Sequence, residues 1–473
     1  MKRAWVLLLV AVTVAGSAMG QTTRPADSET GKIMADLAAK TRNTVCLVEI
    51  PVADETGSGT ITGVAICVKV EGDKATLITT AVDTNRVPVA SITKDKVLVT
   101  VPGSDKKLTA EYVSTDPETN ITFITVKDPY KWQPVRFADK PDLSVGKQVF
   151  SVGLMEPALG LEPYLGAAFV SARLRVPDPI IYVTGGTLTS FGSPVLTADG
   201  TAVGIILGQL PNTITVSSGS GQGSMNMTAL RESSFFVPSD EMGAIINNPP
   251  PATKRRPWIG VLGFEQVDPR AGLEFPAVRV GDVAPATETL SSPAAKVGLK
   301  KNDIITAIDG LTIEKFPSPQ LTVANFVRQL SRLPADGTRK VKLTVLRAKN
   351  PEVLELAVEP FPMMPVEAKK YKNTDLGMIV RDKVPLDAAL DASTGDPKDK
   401  GVYVLGVGAD TPAAKANLKG MPDIVLITTV AKKPVTNVKE FEAAVAGELA
   451  GGKKPIEMVI RKGGSTETIT IRP

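Results

Sequence analysis

Ser292-Pro-Ala-Ala-Lys-Val-Gly-Leu-Lys, followed by Asp303-Ile-Ile, returns later in the chain as Thr411-Pro-Ala-Ala-Lys-Ala-Asn-Leu-Lys, followed by Asp423-Ile-Val. Each copy has a hydroxyl residue able to cap a helix and a proline that presets its first φ angle. Each then has Gly298 or Asn417, the residue types that best tolerate a left-handed stop. The repeat therefore predicts two copies of one helix-turn-strand module. Proline-rich and basic stretches at 247–256 and 363–374 read as linkers, dividing the chain into residues 21–246, a first module at 257–362 and a second at 375–473.

The first of these segments reads differently. TVCLVEI, VAICVKV, ATLITTAV, KVLVTV, ITFITV, QVFSVG, IIYVTGG and AVGIILG are short apolar runs separated by turn residues, the pattern of a domain built from many strands. Its two cysteines, Cys46 and Cys67, fall in runs that can neighbour each other in a hairpin; a disulfide and two separately buried thiols are both compatible with the spacing. The 473 residues contain no histidine, so neither a zinc site nor a Ser-His-Asp triad has its usual donor, and no cofactor is expected.

Lys2 and Arg3, an apolar run from Ala4 to about Gly16 and the small residues Ala18-Met19-Gly20 read as a signal peptide at 1–20, cut after Gly20, predicting a periplasmic or secreted protein with no integral membrane segment left. Removing Lys2 and Arg3 lowers the formal charge from +4 to +2, and the interspersed signs leave no nucleic-acid surface. The Gly/Ser-rich stretch Ser217 to Ser224 reads as a flexible loop.

The repeated segments resemble PDZ domains of the bacterial protease-associated type. Pro257-Trp258-Ile259-Gly260-Val261 is similar to that family's carboxylate-binding loop, and Asp375-Leu376-Gly377-Met378 occupies the same place in the second module. The modules also carry strands at Ala277 to Val280, Ile304 to Ile308 and Gly401 to Leu405, and amphipathic helices from about Leu321 to Leu333 and from Val438 to about Leu449. The resemblance implies peptide grooves bordered by Ile259, Gly260 and Val261 and by Leu376, Gly377 and Met378. It offers Phe326, Val327 and Leu330, and Phe441 and Val445, as pocket walls; the other reading of these apolar positions is that they face the core.

Several stretches before residue 246 resemble the HtrA family of exported serine proteases: IMADLAAKTRNTVCLVEI, LITTAV, STDPETNITFITVK, SVGLMEPALG, FGSPVLTADGTAVGI and FFVPSD. This implies a mainly β fold, a chymotrypsin-type double β-barrel followed by two PDZ domains. The family's catalytic residues do not carry over. Val82 stands where the family has its histidine, Asn120 where it has its aspartate and Phe191 where it has its serine, and the oxyanion loop before Phe191 is shorter. Val82 and Phe191 are expected to fill the old cleft with apolar side chains.

The resemblance thus implies an inactive relative that binds peptides or C-terminal tails of exported proteins, as adaptor, scaffold or holdase. Two other classes compete: an endopeptidase using Ser190 or Ser193 with Lys127 or Lys147 as base, and a structural envelope-assembly protein. Trimers of this family are typically held by aromatic residues near the start of the protease domain. Here no aromatic residue lies between position 21 and Tyr112, so assembly would need aliphatic packing instead and an HtrA-like trimer is not expected.

Overall fold

The computed structural model describes residues 28–473 apart from 105, 176–178, 208–212, 218–223, 229–234, 268–274, 348–349, 391–398 and 453. The expected signal peptide and most of the Ser217 to Ser224 loop lie outside the described residues. Helix α1 (Glu29–Thr41) begins at Ser28, whose hydroxyl accepts the Gly31 N–H at 3.0 Å. Six strands follow: β1 (Val45–Asp54), β2 (Gly57–Glu71), β3 (Lys74–Thr79), β4 (Val97–Thr100), β5 (Lys107–Thr115) and β6 (Thr122–Lys127). They close into a barrel in the order β1-β2-β3-β6-β5-β4.

A second barrel comprises β7 (Gln148–Leu154), β8 (Pro163–Leu174), β9 (Ile180–Thr187), β10 (Pro194–Leu196), β11 (Ala202–Ile205) and, after the separate hairpin of β12 (Thr213–Ser217) and β13 (Ser224–Thr228), β14 (Phe235–Pro238). Its order is β10-β11-β14-β9-β8-β7, again closed. Closure leaves neither barrel an open edge. Leu37 of α1, Ile66, Ile78 and Phe123 of the first barrel and Phe150, Val152 and Ile205 of the second form one apolar cluster, which joins the two barrels back to back with the helix. Cys46 and Cys67 lie in the paired strands β1 and β2 as two free, buried thiols, not a disulfide.

Short helix α2 (Gly243–Asn247) ends the barrel region. The first module then has β15 (Pro257–Trp258), β16 (Phe264–Gln266), β17 (Val278–Val280), α3 (Pro293–Lys296), β18 (Ile304–Ile308), β19 (Leu311–Thr312), α4 (Pro319–Ser331), β20 (Lys340–Arg347), β21 (Asn350–Ala357) and β22 (Glu359–Pro360). The second has β23 (Lys370–Asn373), β24 (Met378–Asp382), α5 (Asp387–Leu390), β25 (Val402–Val407), α6 (Pro412–Lys415), β26 (Val425–Val430), β27 (Lys433–Pro434), α7 (Val438–Ala450), β28 (Ile456–Lys462) and β29 (Ser465–Ile471). Both are small α+β units consistent with PDZ architecture. Ser292 and Thr411 cap α3 and α6 through their side chains, and Gly298 and Asn417 take φ values of 75° and 59°, as the repeat predicted.

Both connecting segments make specific contacts. In the first, Lys254 pairs with the buried Asp116 at 2.6 Å, and Arg256 donates to the Pro117 carbonyl at 2.6 Å and to Asn85 at 2.9 Å. The second holds a strand, β23, and its Met364 and Ala368, with Phe361 just before it, pack against Trp258, Leu290 and Val384 between the two modules.

Candidate functional site

Three segments meet where a chymotrypsin-type fold places its chemistry: the chain after β3, the turn before β6, and the turn before β10. Val82 is fully buried in the core of the first barrel with Val48, Leu77 and Tyr112. Asn120 sits at φ 58°, a left-handed position that asparagine tolerates better than most residues. Its Oδ1 accepts from the Thr84 N–H at 3.3 Å and the Thr84 hydroxyl at 3.1 Å, tying the first two segments together. These contacts occupy the amide oxygen without an imidazole.

The third segment is a tight turn. Ser193 N–H donates to Ser190 O at 3.2 Å, Gly192 N–H to Ile206 O at 2.8 Å and Ile206 N–H to Ser193 O at 3.0 Å. Gly192 has φ 84°, and a Cβ there would lie 3.2 Å from the Val64 carbonyl oxygen and 3.5 Å from Thr80 Oγ1, so the turn rests against the first barrel. Phe191 is 39% exposed. The expectation that apolar side chains fill the cleft therefore holds for Val82 and fails for Phe191, which the turn directs outward because Gly192 occupies the space against β2.

An oxyanion hole needs the N–H of the nucleophile residue and that of the residue two before it. By position these belong to Phe191 and Thr189. Thr189 is buried, and its N–H already donates to Ser151 Oγ of β7 at 2.8 Å. A Cβ at Gly153, also in β7, would lie 2.7 Å from Thr189 Cβ, so the segment lies flat on that strand. Ser151 lies 38 residues away along the chain, and no motif links it to Thr189.

Among the described residues, neither lysine considered as a base is hydrogen-bonded to a rescue nucleophile. Ser190 Oγ and Ser193 Oγ lie 3.4 Å apart, and Ser193 is fully buried. Lys147 pairs with Asp142 at 2.8 Å, and Lys127 is exposed at the end of β6. A cavity of about 410 Å³ opens beside this region, lined by Thr84, Asn85, Pro117, Lys254, Arg256 and Phe361 among others; its basic groups are those that clamp the linker. No group of metal-binding side chains is found among the described residues.

A model of the trypsin-like peptidase domain matches residues 62–205. The chain is 25% identical over 377 residues to a probable periplasmic serine endoprotease DegP-like of Bartonella henselae, covering 75% of this chain and 65% of the relative. It is 27% identical over 367 residues to the DegP-like protein of a Marinomonas species, covering 76% and 70%. The chain is thus similar to DegP-like proteases of the HtrA type. Among solved structures, the HtrA-type protease AlgW with tripeptide matches at TM-score 0.48 and 19% identity, over 70% of this chain and 98% of that one. The match to the Bartonella relative spans just under two thirds of that relative's length.

The residues expected to border peptide grooves are mostly core. Phe326 and Leu330 are buried in the first module, and Leu376, Met378, Phe441 and Val445 in the second. Val327, 43% exposed, is the one predicted wall residue that reaches solvent. Phe264 of β16 packs edge-on against Phe326 with ring centroids 5.0 Å apart, so α4 lies close on the strand after the loop.

The two loops share one bond to the short helix of their module. Ala294 N–H donates to Ile259 O at 2.8 Å and Ala413 N–H to Leu376 O at 3.0 Å. Gly260 and Gly377 have φ 89° and 71°. A Cβ on Gly260 would lie 2.5 Å from Ser292 Oγ, and one on Gly377 would lie 2.1 Å from Thr411 Cγ2. Each glycine is thus required by the capping residue of its own module's short helix, a closer constraint than the approach of a ligand.

Proposed function

We propose that this HtrA-type chain is catalytically silent and works as a tail-binding adaptor, scaffold or holdase in an exported compartment. The observation that carries the reading is the hydrogen bond from Thr189 N–H to Ser151 Oγ: the amide that should polarise a scissile carbonyl is spent inside the second barrel. Val82, Asn120 and Phe191 support it, since each stands at a triad position without the chemistry of that position. The relatives' names place them in the periplasm, which supports the compartment.

Binding falls to the first module, 257–362, whose loop residues Ile259, Gly260 and Val261 have N–H groups with no backbone acceptor among the described residues. Free amides at a positive-φ glycine suit a terminal carboxylate, and β16, at the edge of its sheet, suits an added strand. Titration of the full chain with peptides ending in an apolar residue tests this. Free-acid peptides should bind with Kd on the order of micromolar, and their amidated forms should bind much more weakly; equal binding of the two forms removes the carboxylate loop from the account.

A further inference from the structure

The two modules diverge in the segment just before the loop. In the first, that segment is β15, which leaves to pair with β22, and β16 is left with β17 as its paired neighbour. In the second, the corresponding segment folds back as β23 and pairs with β24 through Lys370–Arg381, Tyr371–Val380, Lys372–Ile379 and Asn373–Met378. β23 is the edge strand of its sheet and packs against α7, with the Tyr371 ring edge-on to Phe441 at 6.3 Å. It therefore lies on the edge of β24 and against α7, the place that an added peptide strand takes. Its direction also matches: it runs antiparallel to β24 and ends at the loop, as a peptide must to bring its terminus to the loop amides.

The end of β23 completes the match. Asn373 is buried, its backbone carbonyl accepts the Gly377 N–H at 3.0 Å, and its side-chain Oδ1 accepts the Leu376 N–H at 2.8 Å. One residue thus sets two oxygens against two consecutive loop amides, as a carboxylate would. Ile259 and Gly260, which hold the same places in the first module, have no such acceptor among the described residues. At its other end, β23 is held by Lys370, whose ammonium lies 2.5 Å from Asp54 at the end of β1.

We propose that the second module carries its own ligand: β23 fills its peptide groove, Asn373 stands in the place of a terminal carboxylate, and the first module alone is open to tails. This rests on the tail-binding reading above, which makes the loop amides the carboxylate site. The test uses hydrogen–deuterium exchange and peptide titration on the full chain.

In the unliganded protein, the amides of Leu376 and Gly377 should exchange slowly and those of Gly260 and Val261 fast. Asn373→Ala should speed exchange at Leu376 about fivefold to tenfold, the scale of one lost hydrogen bond. Asn373→Asp, which keeps the acceptor oxygen, should leave it slow and controls for misfolding. A peptide with a free carboxylate and an apolar last residue should bind the wild type once, protecting Gly260 and Val261, and should bind a Tyr371→Ala/Asn373→Ala variant twice.

Protection of residues 376–382 by peptide in the wild type, fast exchange at Leu376 and Gly377, or a released variant that gains no site would each overturn the proposal. If the wild type binds no peptide and the variant binds one, the assignment of tail binding to the first module fails and the internal ligand stands.

Discussion

Thr189 donates its backbone N–H to the hydroxyl of Ser151, 2.8 Å away in the buried face of the second barrel. The bond fastens the segment before the nucleophile turn to β7. Ser151→Ala should leave that N–H unsatisfied in the core, costing about 1–3 kcal/mol. Equilibrium denaturation of the variant measures the loss, and an unchanged midpoint would mean that the amide finds another partner.

Restoring the triad by substitution should fail. Phe191→Ser alone lacks a base, and Val82→His with Asn120→Asp and Phe191→Ser still lacks the Thr189 donor and places an imidazole in the packed core around Leu77 and Tyr112. Hydrolysis of an activated ester above the uncatalysed rate by the single variant would reveal a base within reach of position 191.

Low pH should loosen the contact between the first barrel and β23. Burial opposes the charge on Asp54, but the Lys370 ammonium and the Thr56 hydroxyl and N–H outweigh it and hold the carboxyl down at about 2. A carboxyl depressed in the folded state stabilises it above the ordinary value of 3.8, and that contribution is lost as pH falls from about 4 to about 2. Thermal melts over this window should show a fall in the wild type that is smaller in Asp54→Asn. Identical slopes would remove Asp54 from the linkage.

The thiols should be silent in the folded protein. Burial pushes Cys67 up to about 12 and raises Cys46 further, with the neighbouring Cys67 adding to the effect. A thiol reagent at pH 8 should label neither until denaturant is added, then label both. Rapid labelling of the native chain would show that the first barrel opens.

How much of this could be read beforehand follows the range of the interactions. The modules were legible because their caps are local: Ser292 with Ala295 and Thr411 with Ala414 are three residues apart. β1, β3 and β6 announced themselves as apolar runs. β5 does not stand out as an apolar run although Lys107–Thr115 alternates exposed and buried residues as far as Ser114, and β8 does not because its Gly166, Ala167 and Ala168 carry little apolar bulk. β23 reads Lys-Tyr-Lys-Asn, which looks like linker until its pairing with β24 is seen. In the site, Val82, Asn120 and Phe191 are visible as letters, whereas the use of Thr189 by Ser151 and of Asp116 by Lys254 depends on contacts 38 and 138 residues apart.

The most direct test of catalytic silence is incubation of the purified protein with casein and with a fluorophosphonate probe, alongside Ser190→Ala and Ser193→Ala variants. Casein should stay intact and none of the three proteins should carry a covalent label. Cleavage or labelling in the wild type that disappears in either variant would contradict it.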